Sequence, residues 1–280
     1  MRRVMLGALL IVLGATPALA ATLDRIKETG TLRIGFRADA VPFSYRNDVG
    51  EAAGYSVELC RAVATEIRRE LGLSRLALDY VPVTTEDRFE AVQQGRIDLL
   101  CGATTVTLSR RQMVDFSLFT FADGAGVLLR ADGPERFEDL AGQKVGVRAA
   151  TTTEEALRNT MTRTSMTLDV VTVGDHQDGL DKLLAGEIAA YFADRAILLF
   201  LVAQSDTPDR LRLADNYLTY ESYALALPRG DGDFRFAVDR ALSHVYRSGA
   251  IEEVFARSFT TKAKPSEILR ALYVINGLPE

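Results

Sequence analysis

Histidine and cysteine are scarce in this chain, two of each in 280 residues, and tryptophan is absent. So few imidazoles and thiols, with the cysteines forty-one positions apart, argue against a zinc site. After the first twenty residues no stretch approaches the eighteen apolar positions that a membrane-spanning helix needs. Long repeats, charge blocks and low-complexity tracts are missing, and so are a nucleophile elbow, a phosphate-binding loop and a metal-ligand motif. Basic residues are also in deficit, 33 against 38 acids, and a net charge of −5 argues against nucleic acid as a partner.

The N-terminal twenty residues read as an address. Arg2 and Arg3 form a positive segment, Leu6 to Leu13 an apolar one too short to span a bilayer, and Ala18-Leu19-Ala20 a small-residue cleavage site. Export to the periplasm with cleavage after Ala20 is expected, the other reading being an uncleaved anchor. The 260 remaining residues suit two ordinary domains or one large one. In an oxidising compartment Cys60, on an expected helix, and Cys101, at the end of an expected strand, are candidates for a disulfide; the alternative is two buried thiols.

Periodicity gives the organisation. Leu32 to Arg37 reads as a strand, and Pro42 with Asn47 to Gly50 as a loop that carries Phe43 and Tyr45. Leu59, Val63, Ile67 and Leu71 recur every four residues, an amphipathic helix closed by Gly72. A strand follows over Leu76 to Val83, then a helix from Thr84 or Thr85 to Gln94, then a strand over Ile97 to Cys101. Such alternation implies parallel strands, with ligand beyond their carboxyl ends. Arg37, Thr84, Thr85 and Gly102 to Thr105 all fall there. The second half repeats the pattern with strands at Gly126 to Arg130, Lys144 to Val147, Leu168 to Val173 and Ala189 to Phe192. Thr151 with Glu154, or Thr152 with Glu155, fits a capping box, and a helix start offers amide donors to an anion. His176 and Asp194 also stand at strand ends. Tyr223 to Leu227 is read as a strand, Phe234 to Arg247 and Ile251 to Phe259 as helices docking on an existing unit, and residues beyond Thr260 are less legible.

Six ordered motifs carry a resemblance. Leu32-Arg33-Ile34-Gly35, Pro42-Phe43-Ser44-Tyr45, Gly54 to Leu59, Arg110 with Val114-Asp115-Phe116-Ser117, Asp139 to Val147 and Tyr223 to Pro228 look like the signatures of the periplasmic polar amino-acid binding proteins that serve ABC importers. Cys101-Gly102-Ala103-Thr104-Thr105, Asp175-His176 and Phe192-Ala193-Asp194 look most like the glutamate/aspartate-binding members. The resemblance implies an α/β, two-lobed periplasmic binding protein fold of type II, each lobe a mostly parallel sheet flanked by helices. Residues 21–126 and 225–280 would form the first lobe and 127–224 the second, with the crossing strands Gly126 to Leu129 and Tyr223 to Leu227 forming a two-stranded hinge between the lobes. No cofactor is implied. The expected partners are an amino acid and an ABC permease at the inner membrane, and the expected state is a monomer.

The resemblance also implies roles. Thr105, Arg110, Thr151 and Thr152 would hold the α-carboxylate, Asp194 the α-ammonium, and Arg37, Thr85, Arg88 and His176 a side-chain carboxylate. Ala103 and Thr104 would wall the pocket, where Phe43 and Tyr45 stand either as wall or as core. A neutral or basic ligand would leave Arg37 and Arg88 buried without a counter-charge, at a cost of several kcal/mol. Ala103, Ser109 and Ala150 depart from the serine, glutamate and glycine usual in the pattern, and Arg195 beside Asp194 is uncharacteristic. Bland readings stay beside these: a solvated Arg37, an Arg88 paired to Glu86, Asp87 or Glu90, a turn role for His176, a helix cap for Asp194, and structural roles for Asp115 and His244. Two other functions fit the same pattern, a periplasmic dehydratase resembling cyclohexadienyl dehydratases, with His176 or Asp194 as general acid, and a sensor or accessory subunit.

Overall fold

The computed structural model describes residues 21–259 and 263–279; the expected leader, residues 1–20, lies outside them. Helix α1 (Thr22–Thr29) leads into strand β1 (Thr31–Arg37), and a small sheet follows from β2 (Asp39–Ala40), β3 (Ser44–Arg46) and β4 (Ala52–Ala53). Helix α2 (Tyr55–Glu70) then buries Leu59, Val63 and Ile67 completely, the four-residue spacing placing them on one face. Each such side chain contributes about 1.5–3 kcal/mol. At its start Gly54 has φ 113°, and a Cβ there would lie 2.5 Å from the Phe43 carbonyl oxygen, so only glycine fits. Strand β5 (Ala77–Val83), helix α3 (Arg88–Gln93), strand β6 (Leu99–Cys101) and strand β7 (Asp115–Asp123) follow.

After a single residue, Gly124, the chain enters the second lobe with β8 (Ala125–Arg130), β9 (Lys144–Val147), helix α4 (Thr152–Thr164), β10 (Asp169–Thr172), helix α5 (His176–Ala185), β11 (Ala190–Asp194), helix α6 (Arg195–Gln204) and β12 (Leu211–Leu213). It returns through β13 (Glu221–Leu227) and ends in α7 (Gly232–Arg247), α8 (Ala250–Ser258) and α9 (Glu267–Asn276). The first sheet has the order β5-β1-β6-β13-β7 and the second β10-β9-β11-β8-β12. In each, the crossover strands run parallel: β1 with β5 and β6, and β9 with β10 and β11. The two lobes and the α/β class follow the sequence pattern.

The two strands expected at the hinge do not pair with each other. Strand β8 pairs with β11 and β12, and β13 with β7 and β6, so the two strands lie in different sheets. The crossing is made one step earlier, where Thr219 Oγ1 accepts from the Ala125 amide and Leu218 donates to the Ala125 carbonyl. Strand β7 has no clean signal in the sequence because its pairing with β13 is irregular around Tyr223 and Ala224, which breaks the period of two.

Cys60 on α2 and Cys101 on β6 form a disulfide, both residues fully buried. The first-lobe core is partly aromatic, and Phe43 belongs to it. Its ring lies 4.8 Å from Phe121 and 5.2 Å from Tyr223, edge to face. Phe43 is thus core, not pocket wall.

Candidate ligand-binding site

The carboxyl ends of β1, β6, β9 and β11 face one another across the cleft. A small cavity of about 30 Å³ sits between them, lined by Arg37, Ala40, Arg88, Ala103, Thr105 and Arg110 from the first lobe and by Thr151, Thr152, His176, Asp194 and Ile197 from the second. Eight of the nine residues to which the sequence gives a ligand contact therefore meet at one place. Thr85, Tyr45 and Thr104 are not among the lining residues. Thr85 is buried with no hydrogen-bond partner for its Oγ1, Tyr45 is half-buried on β3, and Thr104 is taken up by backbone pairing with Ala224.

Arg110 begins a short 3₁₀ turn (Arg110–Gln112) and is folded back so that Nη1 donates to the Thr105 carbonyl at 2.8 Å. Its guanidinium also lies 5.1 Å from the centre of the Phe89 ring, and Arg88 lies 5.0 Å from the same ring. Arg88 points inward, away from its acidic neighbours, and donates to the Ala150 carbonyl of the other lobe at 3.1 Å. Its Nε is buried without a partner. Burial, with Arg110 and Arg37 nearby, pulls the Arg88 pKa down to about 9. A second negative charge in the cavity would relieve this cost. Arg37 is held by Asp39 at 2.6 Å.

The second lobe supplies helix starts and carboxylates. Thr151 is the cap of α4: its hydroxyl oxygen accepts from the Glu154 amide at 3.1 Å and its proton goes to the Arg148 carbonyl at 2.8 Å. That hydroxyl is therefore spent, and the helix start offers its first-turn amides instead. Ala150 just before it has φ 56°, the left-handed conformation that glycine adopts without strain. His176 is the first residue of α5 after the capping Asp175, and its Nδ1 is 2.7 Å from the Tyr191 hydroxyl. Burial pushes its pKa down to about 3, so the ring is neutral. Asp194 precedes α6 but makes no side-chain cap. Its carboxylate accepts from Thr153 at 3.1 Å and from Tyr223. Burial, then the charge of Glu221, raises its pKa to about 6.

Several neighbours carry no sequence signal. Arg148, at the end of β9, lies 3.1 Å from Asp39 in the other lobe. Glu221 accepts from Thr105, Thr152 and Thr219. Asp123, across the Tyr223 hydroxyl from Asp194, is raised to about 8 by burial and by Asp194. Arg195 stacks on Tyr217 and donates to the Ala214 carbonyl, outside the site. Asp115 accepts from the Gly230 amide. His244 is exposed.

Residues 32–261 match the family described as bacterial extracellular solute-binding proteins, family 3. The chain is 32% identical over 249 residues to an L-glutamate/L-aspartate-binding protein of Pseudomonas aeruginosa, covering 88% of this chain and 82% of that one. It is 29% identical to a glutamate/aspartate import solute-binding protein of Salmonella typhimurium, over 90% of this chain and 84% of the relative. Among solved structures, an ancestral amino-acid-binding protein, a precursor of cyclohexadienyl dehydratase, superposes with a TM-score of 0.75 at 25% identity, over 85% of this chain and 100% of that one.

Proposed function

We propose, for a chain that belongs to family 3 of the bacterial extracellular solute-binding proteins, that it captures glutamate or aspartate in the periplasm and delivers it to an ABC import permease by closure of its two lobes. The observation that carries this is the cationic lining. Arg37, Arg88 and Arg110 share one small buried cavity, in which Asp194 is the sole carboxylate among the lining residues. Arg110 with the amides of Thr105 and of the α4 start takes the α-carboxylate, and Asp194 the α-ammonium. Arg37, Arg88 and neutral His176 take the side-chain carboxylate. Glutamine or arginine would leave Arg88 unpaired. Two relatives named for glutamate and aspartate support the same choice.

Closure follows from where these groups sit. The Arg88 contact to Ala150 and the 3.2 Å approach of Thr105 to Thr152 both cross the cleft. A cavity of about 30 Å³ has room for about two waters. An amino acid must therefore replace these direct contacts and join the lobes itself. Shifting the lobes from mostly open to mostly closed takes roughly 5.5 kcal/mol of differential affinity. Contacts on both walls supply it only when the walls meet.

A dehydratase precursor among the similar folds keeps enzymatic elimination in view, since that chemistry needs a general acid beside a carboxylate clamp. His176, held neutral well below physiological pH, is a weak acid for that task. The test is a thermal-shift and calorimetric panel of the twenty amino acids plus prephenate. Stabilisation by glutamate and aspartate alone is expected. A preference for arginine or lysine, or turnover of prephenate, would overturn the assignment.

A further inference from the structure

Glu221 stands behind the ligand cavity, not in it. Thr105 and Thr152 line that cavity and also an outer cleft of about 500 Å³; Glu221 lines only the outer cleft, so the two threonines separate it from the ligand. One oxygen of Glu221, Oε2, accepts from Thr105 of the first lobe and, at 3.0 Å, from Thr152 of the second. The other, Oε1, accepts from Thr219 on the crossing segment at 2.7 Å. Glu221 and Thr105 are both buried.

A carboxylate can only accept, and a hydroxyl has a single proton. The protons of Thr105 and Thr152 are therefore committed to Glu221, and toward the ligand their oxygens present lone pairs. That polarity suits an ammonium and not a carboxylate. On this polarity the α-carboxylate is left to Arg110 and to backbone amides. The Thr105 amide is free for this, because in its bridge with Tyr223 the paired amides are those of Val106 and Ala224.

We infer that Glu221 is a positioning residue that sets the hydrogen-bond polarity of the Thr105 and Thr152 hydroxyls, turning them into acceptors for the α-ammonium of an amino acid and so selecting amino acids over plain dicarboxylic acids. This rests on the proposed function, since it assigns part of the same site.

Glu221→Met removes the acceptor at similar volume and frees both protons for an anion. Glu221→Gln is the control, because its carbonyl can face the two threonines while its NH₂ faces Thr219. Calorimetry with L-glutamate and with glutarate, which lacks the ammonium, reads the effect. Glu221→Met is expected to reduce the preference for glutamate over glutarate at least tenfold, with Glu221→Gln staying within about threefold of the parent. Parallel weakening of both ligands, or equal losses in the two variants, would overturn the inference.

A parent protein that binds neither ligand would instead count against the proposed function. The inference is then read in the ligand-free protein from the thermal shifts of Thr105→Val, Glu221→Met and their combination, with Thr152→Val as the second pair. The double variant should lose clearly less than the two single losses together. Additive losses in both pairs would overturn it.

Discussion

Arg148 Nη1 in the second lobe lies 3.1 Å from Asp39 Oδ2 in the first, close enough for an ion pair though not aligned for a hydrogen bond. The other oxygen of Asp39 holds Arg37 at 2.6 Å. Burial works against the charge on Asp39, but the Arg37 and Arg148 guanidiniums outweigh it and keep the carboxyl below its usual range. One carboxylate thus ties a cation from each lobe to the end of the cavity assigned to the ligand side chain.

Arg148→Ala should therefore weaken glutamate by about tenfold, roughly 1.4 kcal/mol, through loss of a lobe-to-lobe contact and of positive charge near the side-chain end. Calorimetry against glutamate and glutamine checks it. A loss no larger for glutamate than for glutamine would show that Arg148 does not act on the second carboxylate.

Arg110→Ala should abolish ligand-induced thermal stabilisation altogether. The guanidinium is buried, is oriented by the Thr105 carbonyl and stands beside the free amides of the site. Micromolar binding retained in this variant would reject Arg110 as the grip on the α-carboxylate.

The affinity should fall on acidification as Asp194 takes up a proton. Its pKa is raised to about 6, so the charge facing the ammonium is present above that value and lost below it. Binding should weaken by roughly tenfold per pH unit below 6. His176, pushed down to about 3, stays neutral throughout and adds no step of its own. Calorimetry from pH 8 to pH 4.5 measures the profile, and a flat profile across pH 6 would count against Asp194 as the ammonium partner.

Reduction of the Cys60–Cys101 bond should lower stability by about 2–4 kcal/mol, because the bond closes a long loop between α2 and β6. Denaturant unfolding with and without a reductant measures this. Equal midpoints would place the disulfide's value elsewhere than in stability.

How much of this is legible before folding depends on the range over which each signal acts. Apolar spacing in α2 and alternation of strand and helix are local, and they place Arg37, Thr105, Thr151, His176 and Asp194 at strand ends. Strand β7 escapes because an irregular register spoils its period. Phe43 and Tyr45 share a loop motif, yet one is buried among rings and the other is half-buried on β3. No local pattern separates two aromatics two positions apart when the difference is which distant rings stand above them.

By itself the sequence determined the two α/β lobes, the family resemblance and most of the residues that line the cavity, since periodicity, caps and ordered motifs are written within a few tens of residues. Tertiary structure alone decided what those residues are free to do. Thr105 and Glu221 are 116 positions apart, and Asp39 meets Arg148 across the cleft. Whether a hydroxyl donates or accepts, and whether an arginine is already paired, is fixed by the group that packing brings against it. That group belongs to another segment or another lobe, so no nearby residue reveals it.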